Sequence, residues 1–227
     1  MNLSFFNAQR SVAVLLAGSM LAACSSAPSD SVTSAANNAQ IDQAASNMLA
    51  DWPGEYGGVP QFQWLQEPLY LEALKPAVER GIKMHLAEID EIAANPDAPT
   101  FANTVAALEK SGEALSAALV YWRVWSANES TPAFRKVQKQ VAPLLAEYNS
   151  AVTQNQALFQ RVAAVQNSAD RENLTQAEQR LLKQHFDEFA RNGATLEGEA
   201  ADRYAAIEKQ LAQLYQRFSA NMLADEE

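Results

Sequence analysis

The chain has 227 residues, a formal net charge of −10 at pH 7 and a single cysteine. Lysine and arginine form no basic patch with interleaved aromatic residues, so the composition argues against nucleic acid or anionic lipid surfaces as partners, since both require clustered positive charge. A disulfide within the chain is excluded, whereas the length suffices for one helical domain or two small ones with a buried core.

The first predicted element is an export signal over residues 1–23. Its apolar run, residues 12–20, is too short to span a bilayer, and the Leu-Ala-Ala that follows is typical of a signal cleavage site. Cys24 comes next, as in the lipoprotein box of bacterial envelope proteins, so we expect Cys24 to be lipidated. Ser25 beside it favours the outer membrane, facing the periplasm. The alternative is an ordinary signal peptide with a chance cysteine.

A flexible linker is predicted over residues 24–50. This stretch is rich in serine, alanine, asparagine, aspartate and glutamine and contains almost no large apolar residue. Such a composition does not bury enough surface to offset the entropy of ordering the chain. The linker would hold a soluble body, residues 51–227, away from the membrane.

The body opens with irregular chain and continues with a helix. Prolines and glycines in residues 51–60 exclude a helix there, and a helical pattern begins near Leu71. The apolar residues that share its face are Leu74, Val78, Ile82, Leu86 and Ile89. The helix ends before Pro96, and Thr100 is expected to cap the next one.

The second predicted helix is one continuous element from Phe101 to Trp125. Its apolar residues step by four and three through Gly112, as helix-packing seams do. A second apolar stripe indicates burial between neighbouring helices. We therefore interpret Trp122 and Trp125 as packing residues rather than as a ligand site.

Four further helices complete an all-α body, because no segment alternates with the period of a strand. Their predicted ranges are 132–148, with a kink or break at Pro143, then 154–166, 176–191 and a last helix from about Leu196. Thr175 and Glu178 resemble a capping box at the start of the third of these. The last helix presents one apolar face, formed by Ala200, Tyr204, Ile207, Leu211, Leu214 and Phe218.

Two histidine–glutamate pairs are the only residues that suggest a metal. His85 precedes Glu88, and His185 precedes Glu188, by about one helical turn. A helical zinc site requires His-Glu-x-x-His, and a di-iron bundle has glutamate before histidine. We therefore interpret both pairs as exposed helix pairs, and since no nucleophile elbow occurs either, we predict no catalytic and no metal-binding residue in this chain.

Several motifs resemble a known family. Residues 56–62 read Tyr-Gly-Gly-Val-Pro-Gln-Phe, residues 95–104 read Asn-Pro-Asp-Ala-Pro-Thr-Phe-Ala-Asn-Thr, and residues 108–112 continue with Leu-Glu-Lys-Ser-Gly. These stretches resemble the N-terminal portion of bacterial peptidyl-dipeptidases, also called dipeptidyl carboxypeptidases, of the thimet-oligopeptidase-like zinc metallopeptidase family. The resemblance extends over about residues 52–227.

The resemblance implies a larger enzyme. It implies a nearly all-helical, two-lobed peptidase with a deep channel, in which zinc held by His-Glu-x-x-His activates water to release dipeptides from the C-termini of short peptides. None of the zinc or catalytic positions maps onto this chain. The resemblance therefore assigns the chain to the channel wall, inactive alone, with a C-terminal catalytic half as its partner and the membrane reached through the lipid only.

Two readings of the chain remain open at this stage. Acidic residues at its C-terminal helix end oppose the helix dipole and favour truncation before a catalytic domain. In the alternative, the chain is a stand-alone, non-enzymatic helical lipoprotein, either a remnant or a binding module. The sequence also leaves open whether the family member is a dipeptidyl carboxypeptidase or an endopeptidase.

Overall fold

The computed structural model of the protein describes residues 29–54 and 57–225. Within these ranges it contains helices and no strand, which confirms the all-α prediction. The α-helices are α1 (Ser29–Leu49), α2 (Pro68–Ala93), α3 (Ala106–Glu109), α4 (Glu113–Asn128), α5 (Pro132–Thr153), α6 (Gln156–Gln166), α7 (Gln176–Arg191) and α8 (Glu199–Asp225). Short 3₁₀ segments occupy Phe62–Gln66 and Ala169–Asn173, and a π-helical turn, Phe101–Val105, leads into α3.

Most of the stretch predicted as a flexible linker is a helix packed on the body. Ala44, Ala45 and Met48 of α1 are buried in the core, and α1 packs against α2. Arg80 of α2 also bonds to α1, where its guanidinium lies 3.2 Å from the carboxylate of Asp42. The linker prediction is therefore wrong for the part of α1 that packs on the body, residues 41–49. It failed because it weighed only large apolar residues, whereas alanines at helical spacing let two helices approach closely and bury their contact.

A first hydrophobic core lies between α1, α2, α4 and α5. Its largest fully buried side chains include Tyr121, Phe134, Met48 and Leu74. Trp125 is buried in it and Trp122 packs against it, so both tryptophans are packing residues as expected. Gly81 of α2 lies against the backbone of α4, where a Cβ atom would come within 3.0 Å of the Leu115 Cα.

A second core lies where the end of α2, the π-helical turn, α6 and α7 meet. Its buried residues include Ile89, Leu158, Leu182 and Phe189. Arg161 of α6 is buried beside it and donates hydrogen bonds to the carbonyl oxygens of Asn95 and Asp97, at 2.7 and 3.2 Å, and to the Asn103 side chain at 3.1 Å. The Asn-Pro-Asp-Ala-Pro-Thr-Phe-Ala-Asn-Thr segment is thus attached to α6 through one buried cation.

The helix predicted over Phe101–Trp125 is interrupted. Gly112 has a φ of +74°, in the left-handed region, and α4 begins directly after it. The turn is stabilised by Glu88, whose carboxylate accepts a hydrogen bond from the Gly112 N–H at 2.6 Å. The apolar steps continue across the turn because α3 and α4 both contact α2, so periodicity alone did not reveal the break.

The remaining boundaries agree closely with expectation. Thr100 caps the π-helical turn, and Thr175 and Glu178 form the predicted capping box at the start of α7. Pro143 does not break its helix, because α5 continues through it and ends at Thr153 rather than at Tyr148. The last helix begins at Glu199, close to the predicted Leu196.

The apolar face of α8 is exposed. Ile207, Leu211, Leu214 and Phe218 have exposed fractions between 40% and 61%, and Tyr215 beside them is also exposed.

No helix within residues 29–54 and 57–225 combines the length and the hydrophobicity needed to cross a membrane.

Candidate functional site

His85, on α2, lies at the centre of a hydrogen-bond network. Its Nδ1 lies 2.7 Å from the hydroxyl of Tyr148 on α5, and its Nε2 lies 2.9 Å from the hydroxyl of Ser111, in the turn before α4. Ser111 in turn donates to the carbonyl oxygen of Leu108 at 2.7 Å. One imidazole thereby connects three elements that are far apart in the sequence.

The geometry assigns the direction of the hydrogen bonds at Ser111. Because the single Ser111 hydroxyl proton goes to Leu108, Ser111 accepts at its oxygen, and His85 Nε2 must carry a hydrogen. Nδ1 of the neutral ring is then the acceptor for the Tyr148 hydroxyl. The serine is therefore a terminal link of a structural network and is not activated as a nucleophile.

Burial keeps His85 and Tyr148 uncharged. Desolvation lowers the pKa of His85, and the nearby charge of Glu88 opposes that shift with a smaller effect. Desolvation also raises the pKa of the Tyr148 phenol. A neutral ring leaves Nδ1 as an acceptor for the Tyr148 hydroxyl, so the lowered pKa of His85 is compatible with this hydrogen bond.

The second histidine lies on α7, near the same site. His185 Nε2 is 2.8 Å from a carboxylate oxygen of Glu109 on α3, and the histidine side chain is 20% exposed. His85 and His185 line one cavity of about 140 Å³, together with Ser111, Thr153, Glu188 and an apolar wall. The structure thus brings the two histidines to one place, which their separation in the sequence did not predict.

The description of both pairs as exposed was wrong. His85, Glu88 and His185 are half-buried, and only Glu188 is exposed. The tertiary partners of the pairs are Ser111, Tyr148, the Gly112 N–H and Glu109. Sequence reasoning missed these partners because each contact joins residues more than 20 positions apart, although Ser111 and Gly112 do lie in a stretch already singled out for its resemblance.

The described residues do not provide a zinc site. No group of three or more histidine, cysteine, aspartate or glutamate side chains within residues 29–54 and 57–225 is placed to hold a metal ion. The side chains of His85, Glu88, His185 and Glu109 instead serve as hydrogen-bond partners. No catalytic step through a metal can be derived from these residues. Cys24, the predicted lipidation site, lies outside the described residues.

Comparison with known proteins identifies the family. Residues 62–201, more than half of the chain, match the model of the N-terminal domain of neurolysin and thimet oligopeptidase. This chain belongs to the thimet oligopeptidase family. The matched range starts at the 3₁₀ segment before α2 and ends within the first residues of α8, so it includes His85, His185 and all their partners.

Three named peptidases are similar in sequence to this chain. The chain is 30% identical over 150 residues to a dipeptidyl carboxypeptidase of Escherichia coli strain K12, covering 66% of this chain and 22% of that protein. It is 28% identical over 165 residues to a dipeptidyl carboxypeptidase of Salmonella typhimurium, covering 73% of this chain and 24% of that protein. Oligopeptidase A of Haemophilus influenzae is 26% identical over 172 residues, with coverages of 73% and 24%.

The chain spans about a quarter of the length of these thimet oligopeptidase relatives. The resemblance deduced from the motifs is therefore confirmed at the level of the family and of its N-terminal domain. The relatives are named as peptidases, and what they share with this chain is the helical domain described above.

Proposed function

We propose that this chain forms the N-terminal channel wall of an envelope zinc peptidase that releases dipeptides from the C-termini of short peptides. In this proposal the zinc and the catalytic residues belong to a C-terminal catalytic half, and the chain alone is inactive. The observation that carries the proposal is the match of residues 62–201 to the N-terminal domain of a peptidase family, in which the matched part of this chain covers only 22–24% of two named relatives.

The exposed face of α8 supports a scaffold role. Ile207, Leu211, Leu214 and Phe218 follow steps of four, three and four residues, which align them along one side of the helix, and all four are exposed. Exposed apolar surface of this kind marks interaction sites in soluble proteins. The family domain model ends at residue 201, so this face lies just beyond the matched domain, where a following domain would pack.

The chemistry of the histidine site supports the same assignment. His85, Ser111 and Tyr148 are all engaged in hydrogen bonds that hold α2, the turn at Gly112 and α5 together. None of these groups is poised to attack a peptide carbonyl. Their arrangement therefore favours a structural domain over a catalytic one.

A direct assay tests whether the chain alone lacks zinc and peptidase activity. Purified residues 25–227 are expected to contain no stoichiometric zinc by elemental analysis and to release no dipeptide from short peptides. The product distinguishes this activity from contaminating carboxypeptidases, because those release single amino acids from the C-terminus rather than intact dipeptides. Zinc-dependent dipeptide release that copurifies with this fragment would refute the proposal.

A genetic observation tests the remainder of the proposal. We expect the nucleotides beyond codon 227 to encode His-Glu-x-x-His, either in frame or after a frameshift. The absence of that motif from the locus would contradict the peptidase assignment for this gene. It would favour a stand-alone helical lipoprotein instead.

The envelope location rests on the first two dozen residues. We infer that Cys24 is acylated after signal cleavage and that the protein faces the periplasm from the outer membrane. Labelled palmitate is expected to enter the wild-type protein and not the Cys24→Ala variant, with the protein recovered in the outer-membrane fraction. Equal labelling of both proteins would exclude Cys24 as the acylation site.

A further inference from the structure

The cavity shared by His85 and His185 has the size of a single aromatic ring. Its volume is about 140 Å³, close to that of an engineered apolar cavity of roughly 150 Å³ that binds benzene. Five elements enclose it, namely α2, α3 with the turn that follows, α5, α6 and α7. Such a volume is too small for a peptide backbone but sufficient for one ring.

One side of the cavity is apolar and firmly packed. Ile89, Leu158 and Phe189 line it and have exposed fractions of 1%, 0% and 5%. Leu108 and Val152 complete this wall. Because the wall belongs to the second core, its shape is fixed by packing and does not depend on a flexible loop.

The other side offers hydrogen-bond acceptors. A carboxylate accepts but does not donate, so the bond to Glu109 requires a hydrogen on His185 Nε2, and Nδ1 of the neutral ring is then an acceptor. Nδ1 of His185 has no hydrogen-bond partner among the residues that the structure describes. The Glu188 carboxylate, at the exposed rim, adds a second acceptor.

The remaining polar groups of the cavity are already committed. Both nitrogens of His85 are occupied by Ser111 and Tyr148, and the Thr153 hydroxyl donates to the carbonyl oxygen of Asn149 at 2.9 Å. A ligand therefore meets an apolar wall and unpaired acceptors near the exposed side. The complementary molecule is a ring that carries one hydrogen-bond donor.

We propose that this cavity is a binding site for a phenol group, either of a small free phenol or of a tyrosine side chain. The ring packs on Ile89, Leu158 and Phe189, and the hydroxyl donates to His185 Nδ1. This site is separate from the proposed channel-wall role and does not depend on it. It would stand even if the chain proved to be a stand-alone module.

Binding to the methyl-labelled full chain at pH 8, where a histidine ring is ordinarily neutral, tests the site. Phenol is expected to bind saturably and to show nuclear Overhauser contacts to the methyl groups of Ile89 and Leu158. Toluene should bind about fivefold more weakly, the ratio expected for the loss of one hydrogen bond. N-acetyltyrosinamide identifies the source, since its binding at the same methyl groups assigns a tyrosine side chain and its failure to bind assigns a free phenol.

Two variants and one control make the test specific. Val152→Phe places a ring in the cavity and should weaken phenol binding at least about tenfold, while His185→Leu should remove the preference for phenol over toluene. Leu214→Ala, on the exposed face of α8, is the matched control and should leave both affinities unchanged. Absence of contacts to Ile89 and Leu158 in the wild-type chain would overturn the site even if a variant failed to fold. Equal affinity for toluene and phenol, or tighter binding of benzylamine than of phenol, would overturn the proposed chemistry.

Discussion

At the scale of single residues, Gly112 and His85 occupy neighbouring space that admits no larger side chain. A Cβ atom on Gly112 would lie 2.6 Å from atoms of the His85 ring. The same glycine has a φ of +74°, which L-residues other than glycine adopt at a cost. One position thus sets both the turn between α3 and α4 and the placement of the imidazole.

Gly112→Ala is expected to destabilise the protein by more than the cost of the left-handed backbone, which is about 1–2 kcal/mol. The excess reflects the displacement of His85 from Ser111 and Tyr148. Urea unfolding measures it, with Gly57→Ala as the control. Gly57 also has a positive φ, +90°, but a Cβ there meets no atom within 4 Å. Equal losses in the two variants would show that the contact with His85 contributes nothing.

The neutral state of His85 predicts a dependence of stability on pH. Burial lowers its folded-state pKa below the usual 6.5, so the unfolded chain binds more protons once the pH falls below that value. This stabilisation is complete above pH 6.5 and is lost as the pH falls through the folded-state pKa. The free energy of unfolding should therefore decrease less between pH 7.5 and 5.5 in His85→Gln than in the wild type.

The matched control for this pH experiment is His185→Gln. His185 lies against the Glu109 carboxylate rather than in the buried network, so its replacement should not reproduce the His85→Gln result. If both variants retained the wild-type pH dependence, the ionisation of His85 would have no effect on stability in this range.

At the scale of elements, α1 shows how a helix of small and polar residues becomes part of a core. Its mean composition resembles a linker, yet Ala44, Ala45 and Met48 repeat at helical spacing and are buried against α2 and α4. Isolated, such a helix would gain little from packing, and most helical stability in proteins comes from tertiary contacts. The docking of α1 is therefore a property of the assembled domain.

Met48→Ala tests that docking. Met48 is fully buried, with an exposed fraction of 0%, so the substitution should cost about 2–5 kcal/mol of unfolding free energy. Gln43→Ala, at an exposed position of the same helix, should change stability by no more than about 0.5 kcal/mol. A Met48→Ala variant as stable as the wild type would restore the linker interpretation of α1.

At the scale of the whole molecule, the two cores and the histidine site contrast with α8. The cores bury their large apolar side chains, whereas the side of α8 that carries Leu214 and Phe218 is left open to solvent. A face of this kind carries a liability for association when its partner is missing. In the function proposed above, the C-terminal catalytic half is the partner that would cover this face.

We therefore expect the isolated chain to self-associate in a concentration-dependent manner through α8. Sedimentation velocity should show larger species for the wild type and a monomer for the double variant Leu214→Glu, Phe218→Glu, whose two sites are 55% and 61% exposed. Gln210→Glu adds a charge to the same helix at an exposed polar position and should not change the association. A wild-type chain that sediments as a monomer and unfolds cooperatively would favour the stand-alone module.

The sequence by itself determined the features that depend on neighbours along the chain. The helix face of α2, the caps at Thr100 and Thr175 and the all-α class all follow from hydrogen bonds and side-chain spacing within one or two helical turns. The motif segments sufficed for the family because their residues and order are specific. The spacing of the apolar residues, however, continues across Gly112 and did not reveal the break between the helices.

Only the tertiary structure decided which residues meet. The contact between His85 and Tyr148 joins residues 63 positions apart, and that between His185 and Glu109 joins residues 76 positions apart. Neither spacing is periodic, because such contacts arise from how helices pack rather than from how one helix repeats. The burial of α1, the turn at Gly112 and the cavity between the histidines all follow from that packing.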